Sequence, residues 1–221
     1  LIQALGVALE EDPLTVLPYL DLVATAIGAD MVPLSGENRT LAYLGVQQMN
    51  TNPRPGFQAF IEQINRGTLS LTDLNFTIAP RINAAGRMVH GAHAVALLQT
   101  KDINQARTMA AAIQQHNEDR KELDGVITET ALLQMAQAQE SQSATSVVYD
   151  PNWHKGVIGI VASRLIETHY RPTLVFTQSG DVVAGSGRSL KGCDVCYGRD
   201  SCSGHVLQVG GHRYAAVLTW K

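Results

Sequence analysis

Between Asn104 and Gln139 the sequence reads NQARTMAAAIQQHNEDRKELDGVITETALLQMAQAQ, a run without proline and with Gly125 as its single glycine. Ala, Gln, Glu and Leu dominate it, and these are strong helix formers. One uninterrupted helix of this run would be about 50 Å long. Ala106, Met109, Ala110 and Ile113 fall on one apolar face, and Ile127, Ala131 and Met135 on another, so both halves have something to pack against. A helix of that length outruns a single small core. It predicts two bodies with the helix bridging them, ended by the polar stretch ESQSATS.

The composition supports two such bodies: 221 residues, 45% hydrophobic and 17% charged, enough to bury more than one core. The net charge of −3 argues against a nonspecific duplex binder, whose affinity comes from neutralising phosphates, and leaves room for a local basic pocket. The longest apolar runs, such as VIGIVA, are too short to cross a bilayer, and no signal segment opens the chain. A cytoplasmic protein without membrane contact is the expectation. The chain starts at Leu1 in helix-like sequence and is expected to be part of a longer protein. Cys193, Cys196 and Cys202, with His205 and His212 nearby, lack the second ligand pair of a standard zinc site. They read as reduced cysteines.

Upstream of the long run the chain is helical in pattern. Residues 14 to 30 have apolar helical spacing, RTLAYLGVQQMN follows, TNPRPG breaks it, GFQAFIEQIN closes at Gly67, and SLTDLNF offers a helix start. TIAPRINAAGRM leads into a small-residue loop. Downstream the texture changes. SVVYD reads as a strand, KGVIGIVASRLIETHY as a helix, PTLVF and DVVAGSGRS as strands, GCDVCYGRDSCSGHVLQVGGH as a poorly defined helix, and YAAVLTW as a last strand. That is an α/β body with a mixed sheet.

Four stretches combine small residues with charge or hydrogen-bonding groups. In IGADMVPL, Asp30 ends an apolar helix, where the helix dipole disfavours a carboxylate; a divalent cation or Arg39 would compensate it. In PRINAAGR, Arg81 and Arg87 flank Asn83, and two arginines six apart suit a phosphate or carboxylate. In DPNWHKGVIGIVASR, His154 and Lys155 precede a helix start, where backbone N–H groups favour an anion; His154 serves equally well as a capping or core residue. In AGSGRS and VGGHRYAA, Ser186, Arg188 and His212 stand among glycines that allow close approach to the main chain. Together these residues point to an anionic substrate.

Five stretches, YLDLVATAIGADMVPLSGENR, APRINAAGRM, DPNWHKGVIGIVASRLIE, GSGRS and GGHRYAAVLT, resemble in order the RecJ single-stranded-DNA exonucleases of the DHH phosphoesterase superfamily. The resemblance runs through nearly the whole chain. It implies an α/β architecture of three parts: the C-terminal remnant of a DHH catalytic domain (residues 1–75), a cleft loop with the long connecting helix (76–140), and a DHH-associated substrate-binding domain with a mixed sheet (141–221). It implies 5′→3′ hydrolysis of single-stranded DNA in repair and recombination, with Mn²⁺ or Mg²⁺ activating the attacking water. It further implies a monomer, with single-stranded-DNA-binding protein and a RecQ-type helicase as partners.

By the same resemblance Asp30 is the final metal ligand, with Asp21 as second candidate. Arg81, Asn83 and Arg87 line the cleft and meet DNA. Ser186 and Arg188 hold a phosphate near the 5′ end. Gly210 and Gly211 form a glycine-rich wall, and His212 and His154 face the scissile phosphate. The stripped end of the AGSGRS strand would let a sugar-phosphate backbone lie on the main chain.

The sequence departs from the family pattern by lacking the Asp-His-His signature and an upstream Asp-x-Asp strand, so the isolated chain is expected to be inactive. Val217 stands where the family has glycine. A nucleic-acid or nucleotide-binding module, or a small-nucleotide phosphodiesterase of the same superfamily, is the alternative.

Overall fold

A computed structural model describes residues 2–65, 67–138, 143–194 and 206–220. The chain forms two compact units, residues 1–117 and 118–221.

The first unit is helical: α1 (Ile2–Ala8), a 3-10 turn (Pro13–Tyr19), α2 (Leu20–Ala29), α3 (Gly36–Thr51), α4 (Pro55–Ile64), α5 (Leu71–Asp73), a π-turn (Leu74–Ile78), α6 (Ala79–Met88), α7 (Ala92–Gln99) and the start of α8 (Ile103–Gln137). The helix expected over residues 14 to 30 is therefore two elements. Pro18 sits inside the 3-10 segment, where it removes a backbone donor that an α-helix would need. The end of α4 also differs from expectation. Asn65, with φ 53°, takes the left-handed position that Gly67 was expected to supply, as asparagine does at some helix ends.

PRINAAGRM, expected as a loop, is helix α6. Ser70 and Asp73 form a reciprocal capping box that starts the path, and Pro80 falls in the first turn of α6, where its missing N–H costs least. Ala84 and Ala85 are fully buried, so the small residues serve helix packing. The core beneath collects Met49, Phe57, Phe60, Leu74, Ile78 and Leu97, joined by Ala106, Ala110 and Ile113 from α8. A Cβ on Gly45 would lie 2.1 Å from the Leu20 carbonyl oxygen, which is why α3 can cross α2 so closely.

The long run is one 35-residue helix, α8. The expected faces are real: Ala106, Ala110 and Ile113 are buried in its first half, and Ile127, Ala131 and Met135 in its second. A Cβ on Gly125 would meet nothing within 4 Å, so this glycine only weakens the helix, by about 1 kcal/mol relative to alanine.

The second unit adds β1 (Ser146–Tyr149), α9 (Ile158–His169), β2 (Thr173–Ser179), β3 (Val182–Arg188), β4 (Val206–His212) and β5 (Ala215–Trp220). The sheet order is β1-β2-β3-β5-β4. β1 and β2 are parallel, joined across α9, and the other pairs are antiparallel, the mixed sheet the sequence predicts. The stretch from Val206 is a strand where a helix end was expected. Val206, Val209 and the pairing with β5 outweigh the glycines, which favour neither structure. Cys193 is an exposed free thiol; Cys196, Cys202 and His205 lie outside the described residues. Val157 at the N-cap and Val161, Ala162 and Leu165 on α9 are completely buried, and α9 packs on β2 and β3.

Candidate nucleic-acid interface

In the sheet, strand pairing assembles residues that are far apart in the chain. Arg188 pairs with Ala215, and Ala215 with His212. One step along, Ser186 pairs with Val217, and Val217 with Gly210. Residues directly opposite share a face, and strands lie about 4.8 Å apart, so Arg188 and His212 stand on one face about 10 Å apart at the backbone. α9 covers this face over β2 and β3. On β5 and β4 the same face is open: Val217 is 56% exposed, and Gly210 and His212 are exposed.

The first turn of α9 closes onto this row. A Cβ on Gly159 would lie 3.0 Å from both the Ser186 Oγ and the Arg188 Nη2, so glycine there brings helix, hydroxyl and guanidinium together. Arg188 Nη1 donates to Ser186 Oγ at 2.9 Å and to the Gly187 carbonyl at 2.8 Å, which pre-orders its planar fork. Ser186 is 5% exposed.

The glycines divide by role. Gly211, at φ 144°, would place a Cβ 2.2 Å from the Ala215 carbonyl oxygen; it is glycine because β5 passes there. Gly210 would meet nothing within 4 Å and leaves open space beside Val217. In AGSGRS, a Cβ on Gly185 would lie 2.4 Å from the Phe176 ring, which in turn meets Trp220 edge-on at 5.8 Å on the opposite face. That glycine makes room for an aromatic ring, not for a ligand.

Both histidines have a fixed local role. His154 Nδ1 accepts the Gly156 N–H at 3.1 Å, and its carbonyl accepts from Val157 and Ile158. The expected anion-binding N–H groups ahead of α9 are thus already engaged at these three residues. His212 Nδ1 accepts the Tyr214 N–H at 3.3 Å. In each neutral ring the proton then sits on Nε2, which is the remaining donor.

In the first unit, α6 separates the two expected arginines. Six residues turn Arg81 and Arg87 about 120° apart around the axis and about 9 Å along it. Arg81, half-buried, donates from Nη1 to the Thr77 carbonyl at 2.5 Å. Arg87 and Asn83 are exposed on a common face, and Arg87 lies in the last turn, where a cation suits the helix dipole.

Asp21 and Asp30 differ sharply. Asp21 is 1% exposed and takes a two-pronged ion pair from Arg54, Nε to Oδ2 at 2.5 Å and Nη2 to Oδ1 at 2.7 Å. Arg54 also donates to Pro18 and Leu98 carbonyls. Removing one partner of such a buried pair costs about 3–5 kcal/mol, a structural role. Asp30 is the exposed C-cap of α2. Met31, at φ 48°, and Val32 donate back to Gly28 and Ile27, a Schellman closure with methionine where glycine is usual. Asp30 and Met31 are thus two locally disfavoured choices side by side. No group of three or more His, Cys, Asp or Glu side chains able to share a metal ion exists among the described residues, so Asp30 does not by itself constitute a metal centre.

No protein-family profile matches the chain. It is 39% identical to the single-stranded-DNA-specific exonuclease RecJ of Dickeya dadantii over 90% of this chain and 37% of that protein. The RecJ of Escherichia coli is 37% identical over the same shares, and that of Bacillus subtilis 34% identical over 91% of this chain and 26% of that protein. A crystal structure of RecJ from Thermus thermophilus in complex with Mg²⁺ superimposes with a TM-score of 0.87 at 31% identity, covering 99% of this chain and 34% of that one. A RecJ bound to manganese gives 0.83 over 99% of this chain and 54% of that one.

Fold and likeness match the chain to a segment of the RecJ proteins. The chain belongs to the RecJ family, and it spans about a third of the length of the curated relatives named first.

Proposed function

We propose that the chain is the strand-holding part of a 5′→3′ single-stranded-DNA exonuclease of repair and recombination, acting in the cytoplasm as a monomer. The observation that carries this is the meeting of Gly159, Ser186 and Arg188 on the face that also bears His212. A guanidinium steadied by a buried hydroxyl at the edge of α9, with an exposed imidazole donor on the same face of the sheet, fits the oxygens of a phosphate, and Arg188, held by Ser186, would take the one nearest the 5′ end. Gly210 leaves space for the sugar-phosphate chain, while Gly211 shapes the strand. His154 and His212 serve as donors toward the scissile phosphate. In the first unit Arg81, Asn83 and Arg87 belong to the DNA-contacting side, Arg81 chiefly by positioning. The division at 1–75, 76–140 and 141–221 remains our functional partition of the chain. No helix among the described residues is long and apolar enough to cross a membrane.

Asp30 would be one oxygen ligand to Mn²⁺ or Mg²⁺, the ions named in related structures; when bound, such an ion supplies an activated water and stabilises the leaving oxygen. The described residues do not complete that site, and the chain by itself is expected to bind without cutting. Robust manganese-dependent hydrolysis of single-stranded DNA by this chain would overturn that expectation. Single-stranded-DNA-binding protein and a RecQ-type helicase are the partners this role suggests.

The binding role is tested with 5′-phosphorylated and 5′-hydroxyl oligonucleotides of the same sequence. A charged hydrogen bond of about 1.5–3 kcal/mol predicts a preference of roughly 10- to 150-fold for the phosphorylated end, abolished in Arg188→Gln. Equal binding of both ends by the unaltered chain removes Arg188 from this role.

A further inference from the structure

The π-turn and α6 present exposed side chains that the sheet site does not use. Asn83 and Arg87, four residues apart, share one side of α6, Phe76 stands ahead of them in the π-turn, and all three are exposed. Phe76 is 70% exposed, although phenylalanine ordinarily lies in a core. Its outward position is built. Asn75, with its amide nitrogen facing inward, donates to the carbonyls of Gly28 at 3.2 Å and Leu71 at 2.9 Å, and only a glycine at 28 leaves room for it. The Ala79 N–H reaches back to the Leu74 carbonyl, a widened turn of the kind that concentrates at functional sites.

The stretch of chain that bears these residues carries one sign of charge. From Leu74 to Lys101 there is no Asp or Glu, while Arg81, Arg87 and Lys101 are cationic and His90 and His93 lie between. The whole chain, by contrast, carries −3. Cationic side chains attract a polyanion, and an exposed ring on the same stretch of chain as an exposed arginine suits an unpaired base, whose face stacks while its phosphate pairs. A duplex hides those faces.

We propose that Phe76 stacks on an unpaired base of a bound DNA strand while Arg87 holds a neighbouring phosphate. This rests on the single-strand reading above and adds a base-contacting residue in the first unit.

The test measures binding of the 221-residue chain to oligothymidylate and to an abasic deoxyribose-phosphate oligomer of equal length and charge. Stacking of one base predicts about tenfold tighter binding of thymidylate. Phe76→Leu is expected to erase that difference and leave abasic binding unchanged; Phe76→Trp is expected to keep it. A 2-aminopurine in the strand should be quenched by the unaltered chain and not by Phe76→Leu. Equal binding of both oligomers by the unaltered chain, with end preference still lost in Arg188→Gln, overturns the stacking role alone. Binding of neither oligomer overturns it together with the single-strand reading. Full preference retained in Phe76→Leu also overturns it.

Discussion

The two arginine-bearing motifs, PRINAAGR and GSGRS, are alike in sequence and opposite in outcome. In β3 a spacing of two puts Ser186 and Arg188 on one face, where Arg188 Nη1 donates to Ser186 Oγ at 2.9 Å. In α6 a spacing of six sends Arg81 back to the Thr77 carbonyl and leaves Arg87 exposed with Asn83. The same residue types converge or part according to backbone period, two in a strand and 3.6 in a helix. Small residues follow suit. Ala84 and Ala85 are small because a core presses on them, Gly159 because two polar side chains do.

The hardest test of this contrast lies in the sheet. Gly211→Ala must fit a Cβ 2.2 Å from the Ala215 carbonyl at φ 144°. It is expected to lose about 3 kcal/mol or more, combining backbone strain with overpacking. Gly210→Ala, facing open space, should stay within about 0.5 kcal/mol. Denaturant unfolding followed by the fluorescence of Trp153 and Trp220 compares the two; similar losses would break the assignment of one glycine to shape and the other to space.

A smaller effect separates the arginines of α6. Arg81→Ala should lower stability by about 1 kcal/mol, the worth of a hydrogen bond, through its Thr77 contact. Arg87→Ala should weaken oligonucleotide binding several-fold with a shallower salt dependence. The reverse pattern would mean that the exposed side of α6 is structural.

Much of the fold was legible because each stretch carries its own reason for its residues: the long helix from its formers, the strands β1, β2, β3 and β5 from their apolar runs, and the helix end at Asp30 from the break that follows it. The loop expected at PRINAAGRM failed because alanine and glycine signal looseness in isolation and close packing in a core. The strand at Val206–His212 was missed because its support comes from β5, not from its own residues. Gly159 and Phe76 gave only faint signals, a glycine within a helical pattern and a phenylalanine among polar neighbours.

The sequence alone settled the elements that depend on local propensity and periodicity: one uninterrupted 35-residue helix, a helical first part, a mixed α/β second part, and which short stretches hold cations. Only the tertiary structure decided which of those groups share a face, that Asp21 belongs to Arg54, and that Gly185 yields to Phe176. The reason is that convergence is a property of register and contact between distant segments, and no local stretch encodes the partner it will meet.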